Sequence, residues 1–471
     1  MELKEVRKFV WEVKKEGEML VPGRIYADQE IINHLKEELK TEWSALRQIV
    51  NVACLPGIQK AAIAMSDVHP GYGFPIGGVA AFDAEEGVIT MAGIGFDVNC
   101  GVRTIRTPLM KEEVEPRKKE LAEKLFQTIP AGLGSTGELR LTESQIDEVL
   151  VEGSEYVIKN GYGLERDLEY TEENGRVEGA DPANVSHKAK QRQYKQVGTL
   201  GSGNHYLEVQ YVEEVFDEKV AKTYGLKENQ VVISLHCGSR ALGHQVGTDY
   251  LQVLEEASKK YGIPIKEREL VSAPFKSPEG QKYFSAVNAA INCAFANRQV
   301  LNHLARDVFK DVFGLEHEEM PLLYDIGHNT CKLEEHGGKE LVVHRKGSTR
   351  AFGPGRKEIP KAYRDVGQPV LVGGTMGTFS FILHGTETGM EEAFGSACHG
   401  AGRRMSRKKA KRKWWGETIQ KRLEEGGIIV RGHSKAGLAE EAPGAYKDVE
   451  RVVNIMHETG VAKKVVRLRP M

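Results

Sequence analysis

The sequence lacks the features that mark secreted, membrane-spanning or disulfide-bonded proteins. No stretch approaches the roughly 18–20 apolar residues that a membrane-spanning helix needs. The charged N-terminus MELKEVRKFVWEVKKEGE has no apolar segment typical of a signal peptide. The six cysteines among the 471 residues are widely spaced and form no CxxC pair, which is typical of reduced thiols. These absences predict a cytoplasmic protein with no membrane partner.

The chain also lacks a large excess of either charge. Lys and Arg number 65 against 67 Asp and Glu, so the formal net charge is −2. An anionic partner must therefore be held by local basic patches. One patch covers residues 403–413, with eight Lys or Arg among eleven positions, and a second is HKAKQRQYK at residues 187–195. The spacing of the first patch is compatible with an exposed amphipathic helix.

Internal repeats and low-complexity tracts are absent as well. The most linker-like stretch, residues 172–188, is polar and rich in turn-forming residues, but apolar segments resume on both sides. We therefore expect a surface loop there rather than a domain boundary. Although the length alone would allow roughly three domains, the pattern favours one domain over residues 1–471.

Helix and strand patterns are mixed along the chain. A capping box of Thr142 and Gln145 opens a helical pattern that closes at Gly161, and a longer helical pattern covers residues 283–314. Strands are predicted from the short runs VVISLH, LLYDIGH, ELVVH and QPVLVGG. Because strands and helices do not alternate regularly, we expect an α+β fold rather than a doubly wound sheet.

Glycine-bounded polar turns hold one carboxylate, one thiol and three imidazoles. Asp97 and Cys100 lie three residues apart in GIGFDVNCG, and His205 lies in GSGNHYLE. His236 and His328 end apolar runs, where a sheet fixes a side chain near its open edge. Because a thiolate can bridge two ions, the set suits two divalent metals that share Cys100. Asp97 and His205 would complete one site, and His236 and His328 the other; from such ligands alone zinc is the expected metal.

Each of these residues also has a purely structural interpretation. A histidine after a strand is more often hydrogen-bonded within the fold, and a lone cysteine is most often a small buried apolar residue. Cys237 and Cys398, which neighbour His236 and His399, are expected to point into the core. The metal interpretation is favoured because the Asp, Cys and His residues all fall in glycine-bounded polar turns.

Eight segments in order resemble the RtcB family of RNA-splicing ligases over nearly the whole chain. The resemblance implies a single α+β domain with mixed, largely antiparallel sheets flanked by helices. It implies a ligase that uses GTP and two Mn²⁺ ions to join an RNA end carrying a 2′,3′-cyclic phosphate or 3′-phosphate to a 5′-hydroxyl end. Expected roles are tRNA splicing and RNA repair, by a monomer, with archease as a helper that some relatives use. The segments are SDVHPGYGFPIGGVAA, GIGFDVNCGVR, GSGNHYLEV, LHCGSRALGHQVGTDY, DIGHNT, HRKGSTRAFGPG, GTMGTFSF and SACHGAGR.

The same resemblance assigns roles to individual residues. His399 is implied to be the nucleophile that forms a covalent histidine–GMP intermediate, since an imidazole nitrogen is nucleophilic near neutral pH. The implied metal ligands are Asp97, Cys100, His205, His236 and His328, with Cys100 bridging. The residues implied to bind the guanylate are Asn204, His205, Tyr206, Leu207, Glu208, His328, Asn329, Gly373, Gly374, Thr375, Met376, Ser380, His399, Gly400, Ala401, Gly402 and Tyr446.

Further expectations concern the RNA and the nucleotide loop. Asp67 in SDVH is a candidate general base or a helper beside the metals, and Lys346 and Arg350 are candidate phosphate contacts. Gly373 stands where many relatives have proline, which predicts a less rigid guanylate loop. Relatives continue past VVRLRPM to a lysine near the guanylate, so that contact is expected to be missing.

Two other function classes fit parts of the sequence. SDVH and GNHYLE are similar to segments of calcineurin-like phosphatases, so a dinuclear metallophosphoesterase acting on phosphate esters is the main alternative. The GDxxD element of those enzymes is replaced here by GFDVNCG, and the segment SACHGAG would have no role in them. A non-catalytic RNA-binding protein would retain RNA without any dependence on nucleotide or metal.

Overall fold

The structure, a computed structural model, describes residues 1–471. None of its helices has the length and apolar composition needed to cross a membrane. The helices are α1 (Gln29–Glu38), α2 (Ala45–Val52), α3 (Lys111–Val114), α4 (Lys118–Thr128), α5 (Glu143–Glu152), α6 (Ser154–Lys159), α7 (His187–Gln193), α8 (Glu218–Thr223), α9 (Arg240–Lys260), α10 (Pro278–Phe313), α11 (Glu387–Ala393), α12 (Arg407–Lys413), α13 (Gly416–Glu425), α14 (Lys435–Glu440) and α15 (Val449–Thr459).

Eighteen strands complete the regular structure. They are β1 (Leu3–Arg7), β2 (Val10–Val13), β3 (Gly23–Tyr26), β4 (Ala62–His69), β5 (Ile76–Asp83), β6 (Val88–Thr90), β7 (Gly101–Met110), β8 (Tyr206–Val215), β9 (Gln230–Cys237), β10 (Ser272–Pro274), β11 (Leu322–Gly327), β12 (Asn329–His336), β13 (Lys339–Lys346), β14 (Ser348–Arg350), β15 (Pro369–Val372), β16 (Ser380–Gly385), β17 (Ser396–Cys398) and β18 (Ala462–Pro470).

Two seven-stranded sheets dominate the architecture. The first has the order β1-β2-β3-β4-β5-β13-β12, and its single parallel pair is β3 with β4. The second has the order β11-β7-β9-β8-β18-β16-β15 and is antiparallel throughout. Two short pairs, β10-β6 and β14-β17, complete the strand pairing. The expected α+β fold, with mixed and largely antiparallel sheets, is confirmed.

The long helix α10 agrees with the sequence prediction at its carboxyl end. Gly314 follows it in the left-handed conformation, with φ of 74°, which glycine adopts without a steric cost. At the other end the helix begins at Pro278, five residues before the predicted start. Ser277 caps it, since its hydroxyl accepts a hydrogen bond from the N–H of Gly280 at 3.1 Å.

The helix predicted after Thr142 begins as expected but is divided in two. The capping box of Thr142 and Gln145 is present at the start of α5. Gly153 then interrupts the helix with φ of 59°, and a Cβ atom there would lie 2.2 Å from the carbonyl oxygen of Gly175. Only glycine fits at this turn, because the positive φ and the close approach leave no room for a side chain. Helix α6 then continues the segment in a new direction.

The four predicted strands are all present, as β9, β11, β13 and β15. Strands β9, β11 and β15 are buried along their whole length, as continuous apolar runs predict. The largest hydrophobic cluster contains 85 buried residues and extends from Val10 to Ala462, so the two ends of the chain share one core.

The predicted surface loop at residues 172–188 is only partly correct. Its first residue, Glu172, is 1% exposed, accepts a hydrogen bond from the N–H of Gly327 at 3.0 Å and pairs with Lys332 at 2.6 Å. A buried carboxylate with these partners anchors the start of the segment to β11 and β12. The segment carries two 3₁₀ helices, Glu172–Gly175 and Pro182–Asn184, and reaches the first residues of α7.

Candidate active site

Four neighbouring strands of the second sheet bring polar residues to one end of that sheet. Because β11, β7, β9 and β8 are antiparallel, the carboxyl ends of β11 and β9 lie beside the amino ends of β7 and β8. His328 follows β11, and Cys100 precedes β7. His236 lies near the end of β9, directly opposite Tyr206, and His205 precedes β8. Residues that are distant in the sequence therefore converge at one sheet end.

The donor atoms of the five predicted ligands form two overlapping groups. Cys100 Sγ lies 3.4 Å from His205 Nε2 and 3.1 Å from His236 Nε2. His236 Nε2 lies 3.1 Å from His328 Nε2, and Asp97 Oδ2 lies 2.8 Å from His205 Nε2. One group contains Asp97, Cys100 and His205, and the other contains Cys100, His236 and His328. Within each group, all donor atoms lie within 4.8 Å of one another.

Backbone carbonyl groups orient two of the three imidazole rings. His205 Nδ1 lies 2.8 Å from the carbonyl oxygen of Leu200, and His236 Nδ1 lies 3.0 Å from that of Asn204. A ring that donates its Nδ1–H to a carbonyl keeps its Nε2 lone pair for a metal ion. Burial lowers the pKa of His236 and of His328 well below the ordinary value, so both rings are neutral, as metal ligands must be.

The chemistry of this donor set fits a pair of divalent cations. Three imidazole nitrogens, one carboxylate and one sulfur atom are ligand types that divalent transition metals bind. Burial, and then the charge of Asp97, raise the pKa of Cys100 well above its ordinary value. The thiol would stay protonated in that setting, whereas cations beside it would favour the thiolate that a bridging role requires.

His399 approaches the same site from the other side. It follows β17, which pairs with β14, and its ring centroid lies 4.6 Å from that of His328. Oδ2 of Asp67 accepts hydrogen bonds from the backbone N–H of His399 at 2.9 Å and from its Nδ1 at 2.6 Å. Asp67 is fully buried on β4. A carboxylate that fixes Nδ1 as the protonated nitrogen leaves Nε2 of His399 with a free lone pair.

The backbone around His399 is joined to the predicted guanylate loop. The N–H of Gly373 donates to the carbonyl oxygen of His399 at 3.2 Å, and the N–H of Ala401 donates back to that of Gly373 at 3.2 Å. A proline at position 373 could not donate the first of these bonds. A Cβ atom on Gly402, whose φ is 70°, would lie 2.1 Å from the carbonyl oxygen of Asp67. Glycine at position 402 therefore allows the loop that carries His399 to pack against Asp67.

One cavity of about 1030 Å³ joins all of these groups. It is lined by Asp97, Cys100 and His236, and by every residue that the sequence analysis assigned to guanylate binding. Glu208 lies in this cavity, and burial raises its pKa to about 7. Tyr446 also lines the cavity, where its hydroxyl accepts a hydrogen bond from Arg403 at 2.9 Å and contacts Glu441. The structure thus places the proposed nucleotide residues beside the two groups of donors.

Two residues expected to contact phosphate are instead buried in other interactions. Lys346 Nζ donates to the carbonyl oxygen of Tyr72 at 2.9 Å, and burial lowers the pKa of Lys346 to about 7. Arg350 is 2% exposed and pairs with Glu172 and Glu173. The expectation for Lys346 and Arg350 was wrong because a sequence does not show which cations already have an internal partner. Neither residue lines the cavity.

Two residues of α10 support the site although the sequence analysis did not single them out. The side chain of Asn297 accepts from the N–H of Thr199 at 3.0 Å and donates to the carbonyl oxygen of Gly238 at 3.0 Å. Arg298 donates to the carbonyl oxygen of Asn99 at 2.6 Å and pairs with Asp325. They hold the loops that carry Cys100, His205 and His236. The available signal was a series of asparagines inside an otherwise apolar helical pattern.

Both basic segments keep cations that have no carboxylate partner, and in residues 187–195 these are Lys188, Arg192 and Lys195. In the second, Lys190 is buried and pairs with Asp147 at 2.7 Å, so its charge is neutralised. In the first, Arg403 and Arg407 pair with Glu441. Five further side chains of the first segment have no carboxylate partner within 4.0 Å, and they are Arg404, Lys408, Lys409, Arg412 and Lys413. The helix predicted there is present as α12, with only Ala410 buried.

Cys237 and Cys398, expected in the core, are both fully buried.

The chain is similar to known proteins over nearly its whole length. The family model described as tRNA-splicing ligase RtcB matches residues 48–471. A protein of Thermococcus kodakarensis named tRNA-splicing ligase RtcB is 56% identical over 476 residues, which cover all of this chain and 98% of that protein. Proteins of the same name from Archaeoglobus fulgidus and Pyrobaculum aerophilum are 52% and 49% identical, each over all of this chain and 98% of their own length. The chain belongs to the RtcB family of tRNA-splicing ligases.

Proposed function

We propose that this protein is an RNA ligase that uses GTP and Mn²⁺ to join a 2′,3′-cyclic-phosphate or 3′-phosphate RNA end to a 5′-hydroxyl end. Membership of the RtcB family and the names of its relatives support the ligase activity. The observation that carries the mechanism is the position of His399. Its Nδ1 is held by Asp67 at 2.6 Å, and its ring lies 4.6 Å from that of His328.

His399 acts as the nucleophile in the first step. Because Asp67 holds the proton on Nδ1, the lone pair of Nε2 attacks the α-phosphorus of GTP. A P–N bond forms, the bond to the bridging oxygen of the α-phosphate breaks, and pyrophosphate leaves. Asp67 then stabilises the positive charge that develops on the imidazole ring.

The backbone around the nucleophile suits a phosphate group. Gly400 and Gly402 are buried, yet their N–H groups have no hydrogen-bond acceptor within the protein. Backbone N–H groups without an acceptor are suited to anionic oxygens. Divalent cations bound by Asp97, Cys100, His205, His236 and His328 would supply positive charge that offsets the charge of the phosphate oxygens.

Glu208 is the residue best suited to select guanine. Glu208 accepts a hydrogen bond from Gln210 at 2.6 Å, and its carboxylate has further lone pairs for the adjacent N1–H and N2–H₂ donors of guanine, which adenine does not offer on that edge. Glu208 lines the cavity that also contains His399, Gly374 and Ser380. This arrangement supports the preference for GTP over ATP.

Two further transfers complete the proposed reaction. After any cyclic phosphate is opened, an oxygen of the RNA 3′-phosphate attacks the GMP phosphorus, the P–N bond to His399 breaks, and a pyrophosphate link joins the RNA end to GMP. The 5′-hydroxyl then attacks the 3′-phosphorus, a phosphodiester bond forms, and GMP leaves. The exposed cations of α12 lie beside the residues that line the cavity and are available to hold the RNA backbone.

Incubation with GTP labelled at the α-phosphate tests this proposal. In the presence of Mn²⁺, we expect an acid-labile, alkali-stable label on the protein and none on the His399→Ala variant. A matched control is His187→Ala, since His187 lies on the surface and contacts only Glu143 and Gln191. A metallophosphoesterase would show no label on either protein. A non-catalytic RNA-binding protein would retain RNA equally well with and without His399, and would ligate nothing.

A further inference from the structure

A second group of metal-ligand side chains lies at the end of α10. His303 and Asp307 are one helical turn apart on the same face of that helix. His317 is the first residue of the 3₁₀ helix His317–Glu319, which follows the left-handed Gly314. None of the three lines the cavity that holds the proposed nucleotide site. The ligase mechanism therefore gives these residues no role.

The three side chains converge on one point. His303 Nε2 lies 3.4 Å from Asp307 Oδ2, and His317 Nε2 lies 2.9 Å from Asp307 Oδ1. The two imidazole rings are 4.9 Å apart between centroids and are nearly perpendicular, at 73°. One donor atom from each residue lies within 4.8 Å of the other two.

These separations suit a metal ion. Zinc bonds to nitrogen and oxygen ligands of about 2.0–2.1 Å place the ligands of a tetrahedral ion roughly 3.4 Å apart. The His303–Asp307 separation already has this value. The closer contact between His317 and Asp307 needs a movement of about half an ångström to admit an ion, which a partly exposed carboxylate can make.

The surroundings favour a cation. Residues 303–319 carry five carboxylates and only two cationic side chains, Arg306 and Lys310. Both cations are already paired, Arg306 with Asp167 at 2.7 Å and Lys310 with Glu316, one of the five carboxylates, at 2.6 Å. The site is also open to water on one side, since the side chain of Asp307 is 45% exposed.

We propose that His303, Asp307 and His317 bind one divalent transition-metal ion of the zinc class. Two imidazoles and a carboxylate are a ligand set that zinc accepts, and water would complete the coordination. The helix fixes His303 and Asp307 before the ion binds, whereas the turn supplies His317. Nδ1 of His303 is buried without a hydrogen-bond partner, and the ring packs edge-on against Tyr162 with its Nε2 facing Asp307, so Nε2 is the nitrogen placed to ligate the ion.

The role of this site is structural. It joins the end of α10 to the turn that leads into β11, the strand that His328 follows. Arg306 makes a parallel connection there, since it also donates to the carbonyl oxygen of Met320 at 2.7 Å. An ion bound to the folded chain and not to the unfolded chain stabilises the fold.

Metal analysis of the full-length protein tests the proposal. The protein is dialysed against Zn²⁺, then against metal-free buffer, and bound zinc is measured per chain. We expect His317→Gln and Asp307→Asn each to hold one zinc fewer than the parent. The matched control His187→Gln, at a surface histidine that pairs only with Glu143 and Gln191, should hold as many as the parent.

Two further measurements separate this site from the proposed active site. Labelling of His399 by GTP should be unchanged in His317→Gln, because His317 lies outside the cavity. Chelation should lower the melting temperature less in His317→Gln than in the parent. Equal zinc content in the parent, His317→Gln and Asp307→Asn would overturn the proposal and would identify the cluster as a hydrogen-bonded group only. That result would leave the ligase proposal untouched, just as a failure of GTP labelling would leave this site untouched.

Discussion

Among the individual residues, Asp67 has the most direct control over His399. Its Oδ2 accepts from both the backbone N–H and the Nδ1 of that histidine, and its side chain is completely buried. The SDVH segment predicted a role for Asp67 as a general base or a helper beside the metals. The contacts instead support a positioning role, in which Asp67 sets the tautomer of His399, the proposed nucleophile.

We predict that Asp67→Asn slows transfer of GMP to the protein by on the order of 10³- to 10⁴-fold. The amide cannot balance the charge of the imidazolium, and it can present an N–H group to Nδ1 and so favour the wrong tautomer. Single-turnover labelling with GTP measures the rate. Asp365→Asn, an exposed residue without a hydrogen-bond partner, is the control. A rate within a few-fold of the parent would show that Asp67 does not orient His399.

Gly402 is predicted to tolerate no side chain. In Gly402→Ala the backbone would be strained at φ of 70°, and the new Cβ atom would lie 2.1 Å from the carbonyl oxygen of Asp67. We expect a loss of about 1–3 kcal/mol in the free energy of unfolding from backbone strain, and loss of GMP labelling because His399 moves away from Asp67. Gly355→Ala separates the two causes, since Gly355 has φ of 86° and no atom within 4 Å of a Cβ. That variant should lose some stability and keep its labelling.

The pKa of Glu208 predicts a pH dependence of the proposed GTP binding. Burial raises the pKa of Glu208 to about 7, so the carboxyl group is ionised above that pH and protonated below it. If the carboxylate accepts from guanine, GTP affinity should fall as the pH decreases through about 7. Isothermal titration of GTP against pH measures this. In Glu208→Gln the affinity should be low at all pH values and should lose this dependence, whereas an unchanged profile would remove Glu208 from guanine recognition.

Among the elements, α10 and α12 have opposite roles. Helix α10 is buried and uses polar side chains such as Asn297 and Arg298 to fix the loops of the site. Helix α12 is exposed and presents cations that have no partner in the protein. The first helix stabilises the catalytic geometry, and the second is free to bind an external polyanion.

The free cations of α12 predict a strong effect of salt on RNA binding. Replacing four of them by glutamine should weaken RNA binding and reduce the slope of log affinity against log salt by up to about four. Transfer of GMP to His399 should not change, because none of the four lines the cavity. The four residues to be replaced are Lys408, Lys409, Arg412 and Lys413.

A control with equal loss of charge makes this test specific. Four exposed lysines away from α12 can be replaced in the same way, and they should leave the salt slope nearly unchanged. If both quadruple variants weaken RNA binding equally, α12 is not the RNA-binding element. The control residues are Lys14, Lys15, Lys282 and Lys339.

At the scale of the whole molecule, the candidate site lies where the two large sheets meet. Asp67 comes from β4 of the first sheet, whereas Cys100, His236 and His328 come from the ends of strands in the second. His399 reaches the site from the short β14-β17 pair. The five metal donors come from strand ends and loops far apart in the chain, so a metal ion bound there would stabilise the whole fold.

We predict that Cys100→Ala abolishes binding of both proposed Mn²⁺ ions, because Cys100 belongs to both groups of donors. Asp97 belongs to only one group, so Asp97→Ala should remove one ion. Electron paramagnetic resonance should show two coupled Mn²⁺ ions in the parent and no coupled pair in either variant. At free Mn²⁺ about 100-fold above its Kd, each site adds about 2.7 kcal/mol to the free energy of unfolding. A Cys100→Ala protein that keeps one tightly bound ion would contradict a shared thiolate.

The sequence predicted features that depend on neighbouring residues. The capping box at Thr142, the end of α10 at Gly314 and the apolar run of β9 are local patterns, and the structure confirms all three. The division of the predicted helix at Gly153 was missed, since its cause is the carbonyl oxygen of Gly175 in a separate segment. Patterns within a few residues show what a segment favours, but they do not show what packs against it.

The same distinction applies to the candidate site. The residue types and their glycine-bounded turns specified Asp97, Cys100 and the three histidines, because ligand chemistry belongs to the side chain itself. Only the tertiary structure placed Asp67 against His399, buried Lys346 and Arg350 in internal contacts, and left the cations of α12 without partners. These outcomes depend on contacts between residues far apart in the chain, and burial and charge pairing at such contacts decide whether a charged side chain positions, stabilises or binds.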